Sequence, residues 1–235
     1  MTTQEFFEQL DARIAKYDLL CHPFYKAWSA GELTTADLRD YARDYYHHVE
    51  AFPTYLAELA LRLDDGELRR AVLANLCDEK GASDASAENS PAHSELWLDF
   101  AQGMGALRDL RGHMPVAEVE ELMDFFHETA SEGTPEEALA AFYAYESQVP
   151  RVAKEKERGL RDMYGASERT RSYFALHTTA DVYHSEVWRK QLQKRLAAHP
   201  ETAEPALAAA ESAAKALWRA LDGIEARRMA QRIAA

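Results

Sequence analysis

Only 10 glycines and 8 prolines punctuate 235 residues, and the stretches between them are rich in Ala, Leu, Glu and Arg. Those residues lose little conformational freedom on entering a helix. Alternation of β-branched residues, which a half-buried strand requires, is nearly absent. The chain is therefore constrained to an all-α fold. We read a single-domain bundle of seven to eight helices over residues 1–235, with no internal repeat, low-complexity block or linker.

The first helix runs from Thr3 to Leu20, carries Phe6, Leu10, Ile14 and Leu19 near helical spacing, and ends before His22-Pro23. A second opens at Thr34-Thr35-Ala36-Asp37, a hydroxyl N-cap with an acidic first turn, and continues toward Leu63 with a kink expected at Pro53. Glu67–Glu79 is a third helix, and Gly81–Pro91 is a loop of Gly, Ser, Asp and Asn. Helices resume over His93–Met104 and Pro115–Ala130. The next starts at Thr134-Pro135 and runs to Tyr164, with a kink at Pro150. Two more cover Ser167–Ala197 and Thr202–Arg228, the last with small Ala206, Ala210 and Ala213 suited to close packing.

A net charge of −13 with no basic stripe excludes a nucleic-acid binder, because a phosphate backbone would be repelled. Two cysteines, Cys21 and Cys77, are too few for a disulfide scaffold or a four-cysteine zinc site. No apolar run approaches the roughly 18 residues of a membrane span, and the start MTTQEFFEQL lacks a secretory signal pattern. These features predict no membrane association and a cytoplasmic location with reduced thiols.

The sharpest local pattern is His177, Asp181 and His184. On one continuous helix these positions fall within about 60° of arc and about 10 Å of rise. Two imidazoles and a carboxylate suit iron or manganese better than magnesium, and the missing thiolate argues against structural zinc. A solvated polar face is the competing reading. Glu146 is a further carboxylate, flanked by aromatic and apolar residues, so it faces a core and needs either a metal or an arginine to compensate its charge. Glu79 and His93 flank the 81–91 loop and meet only if that loop folds back; Glu88 is a rival carboxylate nearer His93. Inward-pointing Glu and His from facing helices are how helical bundles hold two metal ions, and such a pair can act together on dioxygen. Tyr25, Tyr41 and Tyr145 are candidates for oxidation near such a site. Lys156 either swings inward past Pro150 or lies exposed in the charge run Lys154–Arg158. Of the remaining histidines, His47 is the one expected nearest the pocket.

The block Tyr145-Glu146-Ser147-Gln148-Val149-Pro150-Arg151, followed by Lys154-Glu155-Lys156 and Gly159-Leu160, closely resembles the signature of the death-domain-associating protein family. The resemblance extends over residues 20–190. It takes in His22-Pro23-Phe24-Tyr25, Tyr45 to Pro53, Asn75 to Glu79, His93 to Trp97 and the His177/Asp181/His184 triplet. It implies a haem-oxygenase-like fold, related to thiaminase II and the pyrroloquinoline quinone synthesis protein. It also implies a self-sacrificing para-aminobenzoate synthase, supplying a folate precursor. Metal ligands would be Glu79, His93, Glu146, His177, Asp181 and His184, holding Fe/Fe or Fe/Mn and using dioxygen and an external reductant. Tyr25 would be the internal substrate and Lys156 the internal amino donor. One departure is that family members place the first glutamate seven residues before the histidine, whereas Glu79 and His93 are fourteen apart, an insertion within the 81–91 loop.

The same ligands would also serve a dimetal oxygenase acting on an external small molecule, of N-oxygenase or decarboxylase type. A metal-free relative of thiaminase II is a further alternative. A homodimer is compatible with such bundles though no motif specifies it, and death-domain binding follows from the family name alone.

Overall fold

The computed structural model describes residues 1–81 and 91–234. Among the described residues there are eleven α-helices and no strand: α1 (Thr3–Ala15), α2 (Pro23–Ala30), α3 (Thr35–Arg62), α4 (Glu67–Lys80), α5 (His93–Gly103), α6 (Ala117–Ser131), α7 (Pro135–Glu146), α8 (Val149–Asp162), α9 (Glu168–His177), α10 (Ala180–Ala198) and α11 (Ala203–Ala234). The alternative ligand Glu88 lies outside the described residues, as does most of the 81–91 loop.

The all-α architecture is as expected, and local sequence sets most helix starts. Thr2/Glu5, Thr34/Asp37 and Thr134/Glu137 each form a reciprocal capping box, satisfying two backbone donors that the helix itself leaves free. The helices outnumber the eight runs read from sequence because one was not foreseen and two runs are divided. α1 stops at Ala15 and a 3₁₀ turn spans Leu19–Cys21. The dipeptide His22-Pro23, read as a terminator, also starts α2: His22 Nδ1 accepts from the Phe24 N–H at 3.1 Å, and Pro23 opens the helix. Gly31 closes α2 with φ 72°, a left-handed conformation that favours glycine.

The run expected from Thr134 to Tyr164 is broken between Glu146 and Val149. Pro150 has no N–H to offer the carbonyl of Glu146 and its ring crowds that position, so the chain ends one helix and starts another. The run expected from Ser167 to Ala197 is broken at Thr178-Thr179. There both threonine hydroxyls donate back to carbonyls, Thr178 to Ala175 at 2.7 Å and Thr179 to Leu176 at 3.2 Å. Such bonds compete with the helical ladder. Pro53, by contrast, lies inside α3, which continues past it to Arg62.

α11 packs along α7 and α6, and α3 packs on α4, α5 and α6. Ala206, Ala210 and Ala213 of α11 and Ala138, Ala141 and Ala144 of α7 are fully buried, so small side chains let these helices approach closely. No helix among the described residues is long and apolar enough to cross a membrane.

α2 reaches α8 equally closely. A Cβ at Gly159 would stand 2.8 Å from Trp28 Nε1 and 2.9 Å from its Cδ1. Gly159→Ala is therefore expected to lower stability by about 1–3 kcal/mol through overpacking, despite alanine's better helix propensity. Gly223→Ala, whose Cβ would meet the movable Glu118 carboxylate and, at 3.0 Å, its Cβ, is expected to cost less than Gly159→Ala. Urea melts of the two variants check this pair.

Candidate metal centre and tyrosine–lysine pocket

The helix ends converge on one buried point. Glu79 stands in the last turn of α4 and His93 is the first residue of α5. Glu146 ends α7, His177 ends α9, and Asp181 and His184 lie in the first turns of α10. All six side chains are buried. His177 and Asp181 thus belong to two helices, and the single straight helical stripe inferred from their spacing is replaced by a bend that brings them together. Glu79 and His93 do meet, with His93 Nδ1 2.9 Å from Glu79 Oε2.

Donor atoms of Glu79, His93 and His177 lie within 4.8 Å of one another, as do those of Glu79, Glu146 and His184. Glu79 belongs to both groups. Asp181 is outside both but reaches the second, its Oδ1 3.4 Å from His184 Nδ1, with Glu146 Oε1 at 3.5 Å from the same nitrogen. Among the described residues no Lys or Arg pairs with Glu79, Glu146 or Asp181, so the arginine alternative for Glu146 is not what the fold adopts.

Groups sequence reasoning missed hold this set in place. Asn75 Nδ2 donates to Glu146 Oε1 at 3.1 Å, and Trp188 Nε1 donates to the other carboxylate oxygen. Asp78 Oδ2 lies 3.2 Å from His184 Nε2, and His177 Nδ1 donates to the Tyr173 carbonyl at 2.7 Å, leaving His177 Nε2 available. Orienting a ligand imidazole through its second nitrogen is usual at metal sites. Asn75 is one helical turn before Glu79 and Trp188 one turn after His184, which is the only sequence signal that marks them.

The electrostatics are those of a site short of positive charge. Burial, reinforced by Glu146 and Glu79, pushes the Asp181 carboxyl up to about 7. Burial would lower the His184 imidazole, but Asp181 and Glu146 outweigh it and hold it at about 11. Burial and the neighbouring His93 bring His177 down to about 4. His93 Nδ1 and His184 Nδ1 are buried beside carboxylates without a directed hydrogen bond among the described residues. Three carboxylates, three imidazoles and two orphaned ring nitrogens fit a pair of divalent transition-metal ions.

Beside this set, Lys156 of α8 points inward. Its neighbours at helical spacing, Val152, Ala153, Gly159 and Leu160, are all buried, and Lys156 shares their face. The exposed-lysine alternative is thereby corrected. Lys156 Nζ lies 2.8 Å from Tyr25 Oη and 2.5 Å from Tyr41 Oη, and the two phenols are 3.1 Å apart. Burial drives its pKa well below the usual lysine value, disfavouring the ammonium form. Tyr25, Tyr45, Tyr145, Trp97, Tyr173 and Lys156 surround a cavity of about 20 Å³. Tyr173 also stacks on His177, ring centroids 4.0 Å apart, so phenols and metal-binding side chains form one contiguous cluster. Sequence reading missed Tyr45 and Tyr173. It also expected His47 near the pocket, whereas His47 sits against His113 and its neighbour His48 is the one packed on Tyr145 at 5.1 Å.

This fold and site define an oxygenase-type enzyme of the haem-oxygenase-like class: a family model for iron-containing redox enzymes matches residues 39–218, and the chain belongs to that family. It is 37% identical over 235 residues to a 4-aminobenzoate synthase of Nitrosomonas europaea, covering 95% of this chain and 92% of that protein. It is 40% identical over 185 residues to a 4-aminobenzoate synthase of Chlamydia muridarum, covering 78% and 75%. A domain of unknown function with a haem-oxygenase-like fold from Shewanella denitrificans superposes with a TM-score of 0.81 at 17% identity, over 100% of this chain and 97% of that one.

Two expectations follow from this geometry. Because Glu79 serves both groups, Glu79→Ala should abolish binding of two ions per chain, while Asp78→Asn should keep the stoichiometry and weaken affinity about 10- to 100-fold; metal analysis after anaerobic loading with Fe(II) or Mn(II) reads this. For Lys156, the folded-state pKa is depressed and the unfolded chain binds the extra proton, so folding stability rises with pH from the folded pKa up to about 10.5. Lys156→Met removes that term. The stability difference between wild type and variant should shift in favour of wild type by up to about 1.4 kcal/mol per pH unit between pH 8 and 10, measured by urea melts.

Proposed function

We propose that this enzyme makes 4-aminobenzoate from its own Tyr25, with Lys156 as the nitrogen donor. Glu79, His93, Glu146, His177, Asp181 and His184 would hold Fe/Fe or Fe/Mn, with dioxygen and an external reductant as the other reactants. The observation that carries this reading is the placement of a buried lysine amine 2.8 Å from the Tyr25 hydroxyl, in a cavity of about 20 Å³. That volume holds about one water, whereas a benzene-sized guest needs on the order of 150 Å³. The aromatic ring within reach of the amine is therefore one the protein already carries. 4-Aminobenzoate has the carbon skeleton of a tyrosine side chain, ring plus Cβ, with nitrogen in place of the hydroxyl. The names of the relatives support the product.

When bound, the reduced metals supply activation of dioxygen and so the oxidising power. The chain's own residues do the rest. Tyr41 and Lys156 fix the Tyr25 hydroxyl between them, so the carbon that exchanges oxygen for nitrogen faces the amine. Burial disfavours the ammonium form of Lys156 and so favours a free lone pair. Transfer of Nζ to the ring carbon would expel the hydroxyl as water and break the lysine Cε–Nζ bond. Release of the ring would break the Tyr25 Cα–Cβ bond, with Cβ oxidised to the carboxylate at the expense of dioxygen. Tyr45, Tyr145, Trp97 and Tyr173 exclude water from the reacting ring. Each chain has one Tyr25, so yield is bounded at one product per chain. We place the enzyme in the cytoplasm, where its exposed Cys21 and Cys77 remain thiols and reductant is available.

Protein purified without oxygen, loaded with Fe(II) alone or with Mn(II) and then given reductant and air, is expected to release at most one 4-aminobenzoate per chain. Peptide mapping should show matching mass loss at residue 25, and Tyr25→Phe and Lys156→Met should yield none. Oxygen consumption with intact Tyr25 and no product would sink this reading in favour of an external substrate.

A further inference from the structure

A second cavity lies on the other side of the metal-binding residues. It opens between α4 and α10, encloses about 320 Å³, and has Asn75 and His184 among its lining residues. Its volume is in the range of small-molecule sites, unlike the space around Lys156. Tyr183 and Val187 of α10 form an apolar and aromatic wall. Glu67 is held by Lys194 at 2.5 Å and by Gln191 at 3.3 Å. Arg70 and Lys190 also line the cavity, are exposed, and make no ion pair among the described residues. Arg70, Lys190 and Lys194 together outnumber Glu67, the one carboxylate that lines this cavity among the described residues, in a chain whose net charge is −13. Asn75 adds a second requirement. Its Nδ2 is given to Glu146, and its Oδ1, though buried, has no partner among the described residues. A buried acceptor without a donor is costly.

The cavity therefore asks for an anion at the Arg70/Lys190 side, a flat apolar body against Tyr183 and Val187, and a hydrogen-bond donor for Asn75 Oδ1. We propose that it binds a small aryl carboxylate with an amino or hydroxyl donor opposite the carboxylate. The use of 4-aminobenzoate as first probe rests on the function proposed above, whereas the site and its ligand chemistry do not. Occupancy would cover the solvent side of His184 and Asn75 and slow exchange at the metal centre.

The test is ligand-observed NMR with calorimetry on the full chain, metal-free and Fe(II)-loaded without oxygen, in wild type and in Tyr25→Phe. 4-Aminobenzoate or 4-hydroxybenzoate is expected to bind with Kd below about 1 mM. Benzoate, lacking the donor, and aniline, lacking the carboxylate, should each bind at least about fivefold more weakly. Arg70→Ala/Lys190→Ala, with circular dichroism and melting unchanged, should weaken binding about tenfold or more. Tighter binding of the amino compound marks the reaction's own product as the ligand, and tighter binding of the hydroxy compound marks an external aryl acid. Absence of saturable binding for both, or binding unaffected by the double substitution, overturns the proposal. Because Tyr25→Phe cannot make product on the proposed function, binding to it is scored independently: product from that variant would overturn the function and leave this site standing.

Discussion

Three carboxylates and three imidazoles are buried together with no lysine or arginine among the described residues to balance them. Leaving ionised carboxylates in a low-dielectric core costs several kcal/mol each unless charge of opposite sign is supplied. The rest of the site answers to that constraint. His184 retains a proton far above the ordinary imidazole range, and Asp181 shifts toward neutrality. Asn75, Trp188 and Asp78 then spend their hydrogen bonds on holding these groups in position.

The architecture supplies the convergence through interruptions. Glu146 and His177 are the last residues of their helices, His93 is the first of its own, and Asp181 is the second of another. A side chain in mid-helix projects across a fixed arc, whereas one at a helix end takes the direction of the turn that follows. The breaks after Glu146 and His177 therefore serve geometry. Pro150 makes one of them by removing a donor, and Thr178 and Thr179 make the other by offering the carbonyls an alternative. The same break after α7 sets the rotation of α8, and with it the inward aim of Lys156.

Much of this was legible in the chain. Helix class followed from composition, and three helix starts from Thr-x-x-Asp/Glu boxes. The six metal-binding candidates come together, as does the Tyr25–Lys156 pair. What was not legible is instructive. The spacing of His177, Asp181 and His184 invites a straight helix, because local propensity carries no mark of two hydroxyls turning back on the backbone. α2 was missed because His22-Pro23 reads as a stop and equally as a start. Lys156 looked solvated because the charges around it are many; the buried face Val152, Ala153, Gly159 and Leu160 carried the opposite message. Asn75, Asp78 and Trp188 act on residues distant in sequence, and Tyr45 and Tyr173, though one turn from Tyr41 and His177, carry no mark that separates them from the other core aromatics.

The burial of Tyr25 has a meaning for the life of the molecule. Its ring is 3% exposed and packs on Phe24 and Tyr41, in contact with the Lys156 amine. Removing a large aromatic side chain from such a position costs about 3–5 kcal/mol, set against the roughly 5–15 kcal/mol that holds a typical domain folded. On the function proposed above, a chain that had given up this ring would keep its sequence neighbours and its candidate metal-binding groups but lose a wall of its core. It would be a structurally weakened species, opened more often than its unspent counterpart and so more readily cleared by proteolysis. Supply of product would then be tied to continued synthesis of the protein, and the hollowed core would distinguish chains that have acted from those still to act.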